Sequence, residues 1–288
     1  MNITVKGLCF AYKSAVTQEK QALEQISADI EAGSITAVVG AAGSGKTTLI
    51  QHFNGLLEPG SGSVLVDGVD IFADRDALEK ARKNIGMVFQ FPEYQFFEES
   101  VFSEIAFGPR NMLFPESGVT GRVKRSLEMV GMNFEKFKDR SPFVLSGGEK
   151  RRVAIASILA MEPRILVMDE PTVGLDPVSA RTVEQIMLNY CNDGKTVVFV
   201  SHNMDLVSRI AHKVIVLSNG EKMYEGSKHM LFSNESLVNE AGLILPEVYS
   251  YMKQLKQKGW DVNTDIYKID DAKHEIHRFL SKNRTQNL

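Results

Sequence analysis

The stretch Gly40-Ala41-Ala42-Gly43-Ser44-Gly45-Lys46-Thr47-Thr48 constrains this chain more than any other. It has the spacing Gly-x4-Gly-Lys-Thr, with an apolar strand over residues 35–39 before it and a helix expected from Thr48 to Leu56 after it. A glycine-rich turn can also simply end a strand. Here Lys-Thr and the strand–loop–helix frame point to a phosphate cradle. The glycines keep side chains clear, so successive backbone N–H groups can curl around phosphate oxygens. The helix that follows aims its positive end at the same anion. Lys46 can neutralise β- and γ-phosphate charge, and the Thr47 hydroxyl can ligate Mg²⁺.

Composition narrows the class. A chain of 288 residues suggests one or two domains, and its formal charge of −3 favours no nucleic-acid partner. The two cysteines, Cys9 and Cys191, have no metal-ligand spacing, which fits a reducing compartment without disulfides. No signal-peptide h-region is visible at the N-terminus. The apolar runs stop at about six residues, far short of the ~20 that cross a bilayer, so any work at a membrane would go through an embedded partner.

Residues 1–34 read as two strands and a turn, with Ile3, Val5 and Leu8 on the first strand and Ile26, Ala28 and Ile30 on the second. Phe10 and Tyr12 are either core aromatics or include a ring that stacks on a nucleotide base. Residues 60–63 read as a turn and 64–66 as a strand. Residues 76–83 are expected to be helical. A buried-type strand over 85–89 runs into Gln90, which is either a solvated loop residue or a ligand for Mg²⁺ or the attacking water. Residues 91–144 lack strand signals and read as a helical insertion, with helices near 101–112 and 119–130. Ser146-Gly147-Gly148 heads an amphipathic helix and forms a second anion-binding helix terminus. One triphosphate does not need two such ends from one chain, so two chains each lending one half is the economical reading.

A buried strand over 165–168 ends in Asp169-Glu170. Asp169 would hold Mg²⁺ through its water shell, and Glu170 could orient or deprotonate the attacking water. An ordinary acidic strand end is the plainer alternative. Gly174-Leu175-Asp176-Pro177 forms a loop before a helix over 178–190. A buried strand over 196–200 ends in Ser201-His202, where His202 either is structural or hydrogen-bonds a γ-phosphate oxygen. Asn219-Gly220 signals a hairpin.

Taken in order, the phosphate loop, Gln90, Leu145-Ser146-Gly147-Gly148-Glu149, Asp169-Glu170, Gly174-Leu175-Asp176 and Ser201-His202 resemble the ATP-binding cassette (ABC) ATPases. The resemblance covers residues 1 to about 235. It implies an α/β fold: a RecA-like phosphate-loop core, an N-terminal antiparallel β subdomain and an α-helical subdomain at about 91–160. It also implies site roles. Tyr12 stacks on adenine. Residues Gly40 to Thr48 cradle phosphate, with Thr47, Gln90 and Asp169 serving Mg²⁺. Glu170 is the catalytic carboxylate and His202 contacts the γ-phosphate. Ser146, Gly147 and Gly148 serve the nucleotide of an opposite subunit, and Asp176 lies at the subunit interface. Glu149 stands where Gln is usual.

The stretches Phe89–Glu99, Ala106–Asn111 and Leu145–Ala154 resemble more closely the ATPases of energy-coupling factor (ECF) importers of vitamins and metal ions, in particular the second of two paralogues. That implies ATP and Mg²⁺ as cofactors and a peripheral place on the cytoplasmic side of the cell membrane. It implies three kinds of partner: a second ATPase, a transmembrane coupling (T) component and membrane-embedded substrate-binding (S) components. A conventional importer ATPase and a nucleic-acid-directed cassette are the alternatives. Phe91, Tyr94, Phe96 and Phe97 are candidate anchors for the membrane partner, and Glu98, Glu99 and Glu104 candidate charges for it. Residues 236–288 lie beyond the cassette. They are expected to form two amphipathic helices, from Pro246 to Gly259 and near 271–282, in a C-terminal dimerisation region or a surface cap.

Overall fold

The computed structural model describes residues 1–12 and 20–285. The turn expected between the first two strands, and the last three residues of the C-terminal region, lie outside the described residues. Among the described residues, ten strands form two sheets. The first contains β1 (Ile3–Tyr12), β2 (Lys20–Ile30), β4 (Ser61–Val66) and β5 (Val69–Asp70), antiparallel in the order β2-β1-β4-β5. The second contains β3 (Ile35–Val39), β6 (Ile85–Val88), β7 (Ile165–Asp169), β8 (Thr196–Val200), β9 (Lys213–Ser218) and β10 (Glu221–Ser227). Its order is β10-β9-β3-β8-β7-β6, parallel except for the β9-β10 hairpin.

The parallel strands are buried on both faces, which is why they read as unbroken apolar runs in sequence. Their side chains alternate between two cores. Ile35, Ala37, Val39, Leu166, Met168, Val197 and Phe199 face the helical side. Val38, Val167, Val198, Val200 and Ile215 face the antiparallel sheet, with Leu49, Ile50 and Phe53 of the helix Lys46–Phe53 between them. Each fully buried Val, Leu, Ile or Phe contributes about 1.5–3 kcal/mol. The loop-forming ends of β3, β7 and β8 are level with one another: Val38 pairs with Val200, and Val200 with Asp169. Everything that follows these strand ends therefore opens onto one edge, where ligands bind in open α/β sheets.

The helical insertion holds Val101–Asn111, Glu116–Met129 and Gly147–Leu159, which pack through Val101, Ile105, Val119, Val123, Leu127 and Ile155. The expected turn at residues 60–63 is mostly strand: β4 begins at Ser61, and Gly62 lies so close to β1 that a Cβ would stand 2.4 Å from the Gly7 carbonyl oxygen. Asn219 and Gly220 both have positive φ, as a hairpin turn of this type needs.

At the C-terminal end, Val238, Ala241 and Tyr249 are buried in the helical-side core. Glu247–Gln257 follows Pro246 and stops before Gly259, whose φ is +88°. It packs with Ile269–Thr285 over a separate small core of Met252, Leu255, Val262, Ile266 and Ala272, with Trp260 stacked on Phe279.

Candidate nucleotide site

The phosphate loop is shaped by how closely other backbone passes it. A Cβ on Gly40 would lie 2.0 Å from the Leu217 carbonyl oxygen, so only glycine allows β9 to run alongside. Gly45, at φ +99°, caps the helix that starts at Lys46, two residues before the expected Thr48. Lys46 Nζ donates to the carbonyl oxygens of Ala41 at 2.7 Å and Gly40 at 2.9 Å. Burial pulls its ammonium below the ordinary lysine range, against the opposing fields of Glu170 and Asp169. The Thr47 hydroxyl donates to Asp169 Oδ2 at 2.8 Å. Asp169 is 4% exposed, and burial lifts its carboxyl above the usual range despite the Thr47 hydrogen bond and the Lys46 charge. A buried carboxylate beside a hydroxyl is a hard-oxygen donor pair of the kind Mg²⁺ takes when phosphates supply the remaining ligands.

Glu170 leaves β7 with φ +46°, held there by its N–H donating to the Val200 carbonyl at 3.0 Å. The turn aims its carboxylate at His202, with Nδ1 2.8 Å from Oε1. A carboxylate oxygen only accepts, so Nδ1 carries the proton of that contact. Glu170 Oε2 is buried and has no hydrogen-bond partner among the described residues. It therefore keeps an unused acceptor position. The structure thus brings together Lys46, Thr47, Asp169, Glu170 and His202 from three separate strand ends. Gln90, two residues past β6, is exposed and makes no side-chain hydrogen bond among the described residues.

Tyr12 is 44% exposed, and its hydroxyl lies 3.1 Å from Thr48 Oγ1. Phe10 meets both Tyr12 and His52 edge-on, with centroids 5.0 and 4.9 Å apart. His52 is fully buried, and its Nδ1 sits 2.7 Å from the Thr48 carbonyl oxygen. Burial holds its imidazole below the ordinary histidine range, and the carbonyl contact only partly opposes this. Sequence reasoning passed over His52. Its signal was its position four residues after Thr48, on the inner face of the helix.

The Ser146-Gly147-Gly148 element heads the helix Gly147–Leu159 and is held by its own local bonds. Ser146 N–H and Oγ both donate to Glu149 Oε2 at 2.9 Å, and Glu149 N–H donates to Ser146 Oγ at 3.3 Å. This capping box works equally with Glu or Gln, which explains why Glu149 is tolerated there. The backbone contact with Ser146 holds the Glu149 carboxyl below the usual range. Asp176 caps the helix Pro177–Asn192, accepting from the N–H groups of Val178 and Ser179, and its Oδ2 accepts from the Ser179 hydroxyl at 2.6 Å. Ser179 in turn lies against Gly148. No hydrogen bond joins Ser146, Gly147 or Gly148 to the phosphate loop among the described residues.

An apolar groove of about 460 Å³ opens beside Gln90, lined by Pro92, Phe96, Phe97, Phe107, Ala154 and Ile158 among others. Tyr94 and Phe97 are 84% and 58% exposed. Of the expected partner contacts, Phe96, Phe97 and Glu104 line the groove, and Phe91 and Tyr94 do not. Glu104 is largely buried, and its Oε2 accepts from the N–H groups of Phe97 and Glu98. Phe91 lies over the guanidinium of Arg151, a buried cation that sequence reasoning left unremarked within the basic run 150–152. The signal for Arg151 was its spacing: four and eight residues before the buried Ile155 and Leu159, it stands on the apolar face of its helix.

Comparison with known proteins agrees with this geometry. Residues 23–173 match the family model described as ABC transporter. The chain therefore belongs to the ABC transporter ATPases, with their nucleotide-binding fold, and it binds and hydrolyses ATP to power transport. It is 43% identical over 284 residues to the energy-coupling factor transporter ATP-binding protein EcfA2 of Clostridium perfringens, covering 98% of this chain and 100% of the relative. It is 40% identical to EcfA of Methanothermobacter thermautotrophicus, covering 96% of this chain and 87% of that one. Within the family, then, it belongs with the ATP-binding subunits of ECF transporters, of the EcfA2 type. Among solved structures, cbiO1 of Clostridium perfringens, part of the ABC transporter complex cbiONQ, aligns with TM-score 0.73 at 35% identity, covering 87% of this chain and 98% of that one. A dimeric cassette in a post-hydrolysis state bound to ADP and Pi aligns at 0.69, with 29% identity over 78% of this chain and 98% of that one. No described helix is long and apolar enough to cross a membrane.

Proposed function

We propose that this chain is the ATPase of an importer that brings vitamins or transition-metal ions across the cell membrane, working from its cytoplasmic side as a peripheral subunit. Residues 1–235 act as the ATPase domain. Residues 236–288 contribute to pairing with a second, paralogous ATPase. A membrane-embedded T component takes the groove beside Gln90, and S components supply the substrate.

In this reading Tyr12 stacks on adenine, and Gly40 to Thr48 wrap the phosphates. Thr47, Asp169 and Gln90 hold Mg²⁺, which would spread the charge that builds on the transferring phosphoryl group. Lys46 leaves the loop carbonyls for the β- and γ-phosphates. Glu170 takes the proton of the attacking water on Oε2 while His202 holds Oε1 and orients the carboxylate. Ser146, Gly147 and Gly148 face the nucleotide of the opposite subunit, beside Asp176. The lack of any hydrogen bond between these residues and the phosphate loop among the described residues is consistent with this division of labour.

The observation that carries the transport reading is the aromatic groove. A chain of this family without a membrane-spanning helix among its described residues presents Phe97 and Phe107, packed edge-on at 4.8 Å, at an open apolar surface. Aromatic clusters of this kind are typical centres of protein interfaces. The double substitution Phe97→Asp/Phe107→Asp should abolish co-purification with membrane subunits and leave ATP affinity unchanged. Intact assembly would reject the groove as the docking site, and identification of the co-purified subunits reports the transporter type.

A further inference from the structure

One buried side chain ties the loop after Gln90 to the turn after Glu170. Arg151 is 1% exposed and extends from the inner face of Gly147–Leu159. Its Nε donates to Glu93 Oε2 at 3.0 Å and its Nη2 to Glu93 Oε1 at 3.3 Å. Its Nη1 donates to the Pro171 carbonyl at 3.1 Å, and Nη2 also reaches the Val173 carbonyl at 3.3 Å. Val173 N–H donates back to the Glu170 carbonyl at 3.2 Å, which closes the turn that carries the carboxylate. One planar cation therefore spans three segments: the helix headed by Ser146, the loop following Gln90, and the turn following Glu170.

The groove is walled by the immediate neighbours of both partners. Pro92, Gln95 and Phe96 flank Glu93, and Ala154 and Ile158 stand one turn and two turns along the helix from Arg151. Neither Arg151 nor Glu93 lines the groove itself. A bidentate guanidinium–carboxylate pair fixes distance and plane together, which a lysine cannot do. Such a buried pair adds little stability over apolar packing, yet losing one member leaves a stranded charge. The two groups therefore move together.

We infer that the Arg151–Glu93 pair is a positioning device that carries occupancy of the groove to the Glu170 turn. The inference rests on the groove being the seat of the membrane partner. A segment seated there shifts the 92–96 loop. Glu93 takes the guanidinium with it, and the Pro171 and Val173 carbonyls follow. The Glu170 carboxylate then changes its angle relative to His202.

The test compares ATP turnover of the full-length chain with its partner ATPase, free in solution and assembled with the membrane subunits in lipid vesicles. In the wild type the assembled-to-free ratio should depart from one. In Arg151→Met/Glu93→Met no charge is stranded but the Pro171 and Val173 carbonyls lose their donor, so free turnover should fall less than assembled turnover and the ratio should collapse toward one. The lost factor should be about tenfold, within the ~5–150-fold that coupling between sites spans. Arg151→Lys, which keeps the charge and loses the fork, should fall between. A wild-type ratio of one would overturn the inference, as would an unchanged ratio in the double variant. So would equal losses in free and assembled turnover, which mark a structural strut. Failure of the groove reading shows separately, as intact assembly of Phe97→Asp/Phe107→Asp.

Discussion

Gly148 is the position where the smallest change should separate activity from stability. A Cβ there would lie 2.1 Å from Ser179 Oγ and 2.9 Å from Ser179 Cβ. Rotating Ser179 removes the first clash and not the second, because Cβ is fixed to the backbone. Carbon atoms rest at about 3.5–4.0 Å, so Gly148→Ala must part Gly147–Leu159 from Pro177–Asn192 by roughly 1 Å. Overpacking of this kind costs about 1–3 kcal/mol. Alanine regains up to about 1 kcal/mol over glycine in a helix. The net loss is about 0–2 kcal/mol, a small fall in melting temperature. If Ser146–Gly148 serve the opposite nucleotide as proposed, the same displacement moves their N–H groups out of reach and should cost about a hundredfold in rate. Phosphate release by the assembled pair, thermal melts and ATP binding are the assays. Turnover should fall about a hundredfold while ATP affinity of the chain's own loop holds. Adding Ser179→Gly, which removes both clashing atoms, should restore much of the rate, and Ser179→Ala, which leaves Cβ, should restore less. Wild-type turnover in Gly148→Ala, or no recovery with Ser179→Gly, would refute the reasoning.

Glu170→Gln keeps an acceptor for His202 Nδ1 and loses the base, so turnover should drop by about 10²–10⁴ with ATP binding intact; undiminished phosphate release would remove Glu170 from its role. Lys46→Ala should lose nucleotide affinity in equilibrium binding, and unchanged affinity would show that the loop backbone alone holds the phosphates. His52 gives a pH prediction. Its folded-state proton affinity is depressed below the reference of 6.5, so the unfolded chain binds the extra proton first. The stability it confers is full above the unfolded value and is lost as pH falls below it. Thermal melts from about pH 7.5 to about pH 5 should therefore decline less steeply for His52→Gln than for wild type, and parallel curves would count against a neutral buried His52.

Much of the architecture could be read along the chain. β3 and β8 match the sequence expectation to the residue and β7 to within one, because strands buried on both faces are uninterrupted apolar runs with polar or glycine ends. The reactive groups Lys46, Thr47, Asp169, Glu170 and His202 were legible for the same reason: each stands at the end of such a run, and only their register remained to be seen. Boundaries were less exact where a neighbour decides them. The helix begins at Lys46 because Gly45 takes a left-handed conformation beside β2, and Ser61 joins β4 because β1 pairs with it.

The chain by itself determined which groups are available: a phosphate-loop motif, two carboxylates at a strand end and a second glycine-headed helix terminus, in the order that resembles the family whose model it matches. Tertiary structure decided which charges are free to act. Glu104 lines the groove with one carboxylate oxygen held by the backbone of Phe97 and Glu98, and Arg151, on which the sequence offered no reading, is buried across three segments. A side chain's local sequence states its charge. Whether that charge meets water, a partner or a neighbouring loop depends on segments brought close by folding, which no local pattern encodes.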